Sequence, residues 1–228
     1  GGLTASLLHE AIVNSYTDLP PLRTVQINFV GPTDGKLQIS HKMLRRGKNN
    51  VTFEAHLDSD AGPGTYGYFT FGISRQMTQE IDYPKHPLSV KPQMGKKLIP
   101  HNAAPNFLTN FDRIHATGPE LLSGSDNPDI TVWSRHVDPY SHEGVTALIA
   151  LTDAPPAALT ALTQLNALSS MNWNINMLSD NPTTENGWFL LRTATKYIRH
   201  GYSSQEMQVW NNDGDRIMDC IQHIAIFT

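Results

Sequence analysis

Asn172-Trp173-Asn174-Ile175-Asn176-Met177 alternates asparagine with large apolar side chains and then breaks at Ser179-Asp180-Asn181-Pro182. A period of two puts Trp173, Ile175 and Met177 on one face of a strand and the asparagines on the other. Three further strand-like runs follow, at 188–199, 202–210 and 216–227, punctuated by Gly201 and by Asn212-Asp213-Gly214. Turn residues between alternating runs predict antiparallel hairpins. The last run carries Gln222 on the same side as Ile224 and Ile226. An amide on an apolar face needs a hydrogen-bond partner, which marks Gln222 as a candidate functional residue.

A weaker copy of this pattern lies near the start, where Val25-Gln26-Ile27-Asn28-Phe29 parallels residues 173–177. Each copy continues with a proline-containing turn (Pro32, Pro182), a long strand, and a glycine after basic residues (Arg45-Arg46-Gly47, Arg199-His200-Gly201). Self-similarity at this scale predicts two related units.

Outward from these anchors, residues 3–17 read as a helix with Leu3, Leu7, Leu8, Ala11 and Ile12 on one face. Strands are expected at 22–30, 36–46, 51–57 and 66–73, with 58–64 as a loop. Residues 76–106, with Pro84, Pro87, Pro92, Pro100 and Pro105 and little periodicity, read as a linker. Strands at 107–115 and 130–137 precede a helix at 143–152, which stops at Asp153-Ala154-Pro155-Pro156. A second helix at 155–162, capped by Asp153, is also expected. The resulting α+β arrangement is a double hotdog: two curved antiparallel sheets, each wrapping a central helix. Its expected units are 1–75 and 107–228, joined by the 76–106 linker. The first unit lacks a lead strand and the chain enters a helix directly from Gly1-Gly2, so residues preceding Gly1 are expected.

Composition narrows the function classes. A net charge of −4 leaves no basic footprint for nucleic acid. No apolar run approaches the ~20 residues of a membrane helix. The lone Cys220 excludes an internal disulfide framework, and with no signal peptide visible a cytoplasmic protein is expected. Ten histidines occur without HxxxH or CxxC spacing, so no metal and no cofactor are expected. Open sheet edges favour a homo-oligomer.

The chain resembles the acyl-CoA thioesterase II family and its thioesterase-like double-hotdog relatives. The matching features are Gly1-Gly2 before the first helix, Leu44-Arg45-Arg46-Gly47-Lys48-Asn49 at the first hairpin, Ala150-Leu151-Thr152-Asp153, Pro182 with Trp188 six residues on, Asp213-Gly214, and Gln222. The resemblance implies hydrolysis of an acyl-CoA thioester, a role in lipid metabolism, and a site of three side chains. Asp153 takes the family's Asp position after the second-unit helix, and Gln222 its Gln position in the last strand. The Thr or Ser position falls on Asn172, a departure, with Ser169 or Ser170 able to supply the hydroxyl after a shift of two or three residues. Asn174 stands where an Asp is usual.

In this reading Asp153, Asn172 and Gln222 hold a water that attacks the thioester. Backbone N–H groups after Gly1 and Gly2 serve the oxyanion, and Arg45 and Arg46 meet the phosphates of CoA. Blander roles stay open: Asp153 as a helix cap, Asn172 as part of a polar strand face, Gly1-Gly2 as a tight turn, and the arginines as a solvated turn. A non-catalytic protein binding an acyl or aromatic ligand is the alternative. A third possibility is a hotdog dehydratase using His9, although His9 is expected to face solvent.

Overall fold

The computed structural model describes residues 1–86, 89–98, 105–153 and 156–228. The two self-similar segments, Leu22–Phe29 (β1) and Ala167–Met177 (β8), pair antiparallel with each other. Gln26 lies opposite Asn174, Val25 opposite Ile175 and Ile27 opposite Trp173. The apolar positions point to one side of this seam, and Gln26, Asn28, Asn174 and Asn176 point outward, as the period of two requires.

From the seam the sheet grows both ways. On one side lie Gly62–Gly72 (β4), Asn50–Ser59 (β3) and Leu37–Arg46 (β2). On the other lie Arg216–Phe227 (β11), Tyr202–Trp210 (β10), Phe189–Arg199 (β9), Asp129–His136 (β7), Phe111–Thr117 (β6) and the short Lys96–Lys97 (β5). The expected two sheets are therefore one continuous antiparallel sheet of eleven strands, because β1 and β8 use their free edges on each other. The predicted loop at 58–64 is a tight hairpin instead. Ser59 pairs with Gly62, whose φ of 105° is accessible to glycine at no steric cost.

Two helices cover the inner face. Gly2–Ser15 (α1) and Val145–Thr152 (α2) pack on each other and share one core. That core draws Ala5, Leu8 and Ile12 from α1, Leu148, Ile149 and Leu151 from α2, and strand residues from both halves, such as Phe53, Phe69, Trp173 and Met218. The helices run antiparallel: His9 meets Thr146, and Gly2 meets Ala150 and Asp153. The second predicted helix is short, Ala158–Ala161 (α3), and residue 155 lies outside the described residues. Residues 107–115 do not form one strand; Asn106–Asn110 is a 3-10 turn that leads into β6.

The linker is not a free crossover. Its described part seals a small tryptophan cluster on the outer face, formed by Trp133, Trp188 and Trp210 with Leu190. The indole of Trp133 donates to the carbonyl of Val90 at 2.6 Å, and the N–H of His86 donates to Gly214 O at 2.8 Å. Among the described residues no helix is long and apolar enough to cross a membrane.

His9 is buried, against expectation, because the α1 face that carries it packs on α2. Its ring stacks on Phe71 with centroids 5.9 Å apart. Its Nδ1 lies 2.8 Å from Thr146 Oγ1, and the Thr146 hydroxyl gives its one proton to Glu10 Oε2 at 2.8 Å. His9 Nδ1–H must therefore be the donor to Thr146, so the ring is the neutral Nδ1–H tautomer. Burial lowers the His9 pKa to about 4, against the opposing pull of Glu10. The unfolded chain takes up a proton near pH 6.5 that the fold excludes until about pH 4. The fold is free of this penalty above pH 6.5 and loses stability as pH falls through the window. The expected loss from this group is roughly 3 kcal/mol. Urea denaturation at the two ends of the window should show His9→Gln losing less than the parent chain by that amount.

Candidate active site

Asp153 follows the last residue of α2, with φ −71° and ψ 61°, just before the helix-breaking Ala-Pro-Pro run. Its carboxylate does not cap α3, whose N-cap is Ala157. It turns to the N-terminus of α1, where Oδ2 accepts the N–H of Gly2 at 2.7 Å, with the nitrogen of Gly1 at 3.2 Å. The positive end of the α1 dipole faces this side chain. Oδ1 accepts from Gln222 Nε2 at 2.9 Å.

Gln222 is wholly buried in β11, and each of its side-chain polar atoms has a partner. Nε2 donates to Asp153 and also to Ser170 Oγ at 3.1 Å, while Oε1 accepts from Gln205 Nε2 at 3.2 Å. Gln205, on β10, lies directly opposite Gln222 in the register and is equally buried. It fixes the amide so that Gln222 presents its NH2 to Asp153 and not its oxygen. Sequence reading missed Gln205, although Met207 and Val209 share its strand face in the pattern that exposed Gln222.

Asn172 is not brought to this group. β8 and β11 slip register at Met171: Asn172 lies opposite His223, but Ser170 lies opposite Ile224. The extra residue is a β-bulge, which moves the inward set from even to odd positions along β8. Ser170 thus shares the inner face with Trp173 and Ile175, while Asn172 joins His223 on the outer face. Counting by twos from residue 172 cannot register such a slip.

The glycines of α1 are required by close approach. A Cβ on Gly1 would sit 2.8 Å from Asp153 Oδ2 and 2.9 Å from Phe29 Cζ. One on Gly2 would meet the Ala150 carbonyl oxygen at 2.6 Å and Asp153 Cβ at 2.8 Å. Arg45 and Arg46 lie elsewhere. Arg46 pairs with Val51, Val51 with Phe71, and Phe71 with Leu22, at the opposite end of β1 from Phe29 and Gly1. Seven strand steps separate the two ends, about 23 Å. Arg46 is engaged by Asp18. The two glycines and two arginines therefore do not form one binding surface within a chain.

A narrow cleft opens beside Asp153, about 290 Å3 including its mouth, with interior room for about one water. Leu108, Phe111, Val132, Leu151 and Leu191 form its apolar wall, and Arg113, Ser134 and Asp153 are its polar groups. Cys220 is buried, and desolvation raises its thiol pKa, which keeps it protonated and unreactive. No group of metal-ligating side chains occurs among the described residues.

Comparison with known proteins bears on the fold and the family. The acyl-CoA thioesterase N-terminal domain matches residues 1–72, and the acyl-CoA thioesterase C-terminal domain matches residues 84–226. The chain belongs to the acyl-CoA thioesterase family. Among solved structures it is similar to a conserved hot dog protein of unknown function from Alicyclobacillus acidocaldarius, with a TM-score of 0.86, 19% identity, and coverage of 100% of this chain and 87% of that one. It is also similar to an acyl-CoA thioesterase II, TesB2, from Mycobacterium marinum, with a TM-score of 0.74, 13% identity, and coverage of 100% and 88%. The dehydratase domain of RzxB from Pseudomonas fluorescens shares the fold more loosely, with a TM-score of 0.60, 10% identity, and coverage of 100% and 85%. No curated protein matches in sequence.

The α1–Asp153 junction is tight enough that Gly2→Ala should destabilise the chain by about 1–3 kcal/mol, the usual range for overpacking. Thermal denaturation of the variant checks this, with a fall in Tm as the expected outcome.

Proposed function

We propose that the protein hydrolyses an acyl-CoA thioester at Asp153, Ser170 and Gln222, within two hotdog units, 1–75 and 107–228. The observation that carries this reading is the convergence of Asp153 and Ser170 on one buried amide, at the mouth of a helix N-terminus. In this role Gln222 acts as a fixed strut. Its amide hydrogens go to the carboxylate and to the serine oxygen, which leaves each of them with free lone pairs and leaves the Ser170 proton to bond outward.

Water held between Asp153 and Ser170 attacks the carbonyl carbon. One water proton passes to Asp153 as the C–O bond forms. The N–H groups of Leu3 and Thr4, in the first turn of α1, lie among those a helix leaves without an internal acceptor. They stabilise the oxyanion. The C–S bond then breaks, the thiolate leaves, and the proton on Asp153 returns to it, yielding a carboxylic acid and free CoA. Ser170 is not the nucleophile here, because no base is hydrogen-bonded to its hydroxyl among the described residues.

Thiol release from an acyl-CoA panel tests the proposal. Asp153→Asn is expected to lower kcat/KM by about 10²- to 10⁴-fold, the range for a general base. Ser170→Ala should cost about tenfold or more, the loss of one hydrogen bond to the reacting water. Asn172→Ala should change the rate less than about threefold, as expected for a residue on the opposite face of the strand. If Asn172→Ala proves as damaging as Ser170→Ala, the water is held differently. If no acyl-CoA is cleaved, the hydrolase reading is wrong.

A further inference from the structure

The repeat supplies an internal control for the buried amides. Val25 and Trp173 are its matched positions, and Phe69 lies opposite Val25 as Gln222 lies opposite Trp173. Phe53 then lies opposite Phe69 as Gln205 lies opposite Gln222. The same count puts Leu22 at the position of Ser170, beyond a register slip at Arg23 that parallels the slip at Met171. Phe53, Phe69, Gln205 and Gln222 are all wholly buried. The first half therefore fills with apolar side chains the places where the second half keeps three hydrogen-bonding ones.

Gln222 and Ser170 have a use in the proposed reaction, but Gln205 stands one strand behind them. No hydrogen bond joins it to Asp153 or Ser170 among the described residues, and its Oε1 is buried without a donor. A buried acceptor left unmade has a cost that an apolar pair at the same place avoids. What the second amide adds is a lock on the first. Asp153 holds the Gln222 NH2 toward itself while it is a carboxylate. Once it has taken a proton from water, its O–H is a donor and favours the Gln222 oxygen. A half-turn of the amide would then satisfy the acid, draw the Ser170 proton inward, and withhold the proton that the leaving thiolate needs. Gln205 opposes that turn. Its Nε2 already donates to Gln222 Oε1 at 3.2 Å, and a turned amide would set NH2 against NH2.

We propose that Gln205 is a positioning residue of the reaction, which keeps Gln222 a donor toward Asp153 after Asp153 has been protonated. The reaction rests on the hydrolase reading, while the lock rests on the amide geometry alone.

Two variants of the full chain and one signal test this. Gln205→Met keeps the length, removes the donor and removes the unmade acceptor, so it should fold with a Tm close to the parent's. Its kcat should fall about tenfold or more, with KM changed less than about threefold. Gln205→Glu donates to Gln222 only while its own carboxyl is protonated, so its kcat relative to the parent's should fall as pH rises. A purely structural role moves neither ratio. Independently of turnover, the 13C signal of the Asp153 carboxyl should report protonation at higher pH in Gln205→Met than in the parent, because the acid gains the turned amide as an acceptor. The other groups bearing on that carboxyl, Gly1, Gly2, Arg113 and Cys220, are the same in both proteins. A Gln205→Met kcat equal to the parent's, or an Asp153 signal that titrates alike in both, overturns the proposal and leaves hydrolysis standing. If Gln205→Met does not fold, a Gln205→Glu rate that stays in constant ratio to the parent's across pH overturns it. A parent that cleaves no acyl-CoA, with an Asp153 signal that still moves, supports the lock and overturns the hydrolase reading instead.

Discussion

Between β1 and β8, Gln26 faces Asn174 and the flanking apolar residues face each other in reverse order. This seam joins the two halves edge to edge, and the placement of the helices follows from it. Once the strands are antiparallel partners, the helices on the inner face also run antiparallel. The first turn of α1 then meets the last turn of α2, so Gly2 and Asp153 are neighbours although 151 residues separate them. The hydrogen bond between them adds little energy by comparison with the shared core. Its importance is positional, because it holds a carboxylate at the positive end of a helix, against an amide that cannot turn away.

Much of this was legible in the sequence, for identifiable reasons. The runs 202–210 and 216–227 match β10 and β11 because Gly201 and Asn212-Asp213-Gly214 mark their ends. Gln222 stood out because an amide interrupted an apolar face, whereas Asp153 was singled out by the family resemblance, the proline pair marking only the end of its helix. The repeat between 25–29 and 173–177 was visible, and the structure places those segments side by side. What failed depended on partners that a single strand does not reveal. The bulge at Met171 belongs to the pairing of β8 with β11, so the resemblance put the Thr or Ser position on Asn172 and reached Ser170 only through a shift of two residues. The merging of two sheets into one depended on the edges of β1 and β8 finding each other. His9 looked solvent-facing until α2 was in place against α1. Arg45 and Arg46 resembled a phosphate clamp, yet the strand lengths carry them to the far end of the sheet.

The buried amides form a short relay with a direction. Gln205 donates to Gln222, and Gln222 donates to Asp153 and Ser170. The bond from Gln205 and one of the two from Gln222 point toward the carboxylate, so the chain presents a string of partial positive charges to an anion. The Oε1 atom of Gln205 ends the string, buried and without a donor among the described residues. Leaving that acceptor unmade has a cost. In exchange, neither amide can flip without placing an oxygen against an oxygen.

The seam also bears on how the molecule loses activity. Gly2 comes from the first half, while Asp153, Ser170 and Gln222 come from the second, and the contact between the halves runs through β1, β8 and the paired helices. A local parting of that boundary would remove the donor from Asp153 Oδ2 while each half kept its own hairpins. Thermal inactivation would then report the opening of one internal boundary and precede the melting of the sheet. The temperature range over which the protein works would be set by the weakest contact between its halves, and not by its overall stability.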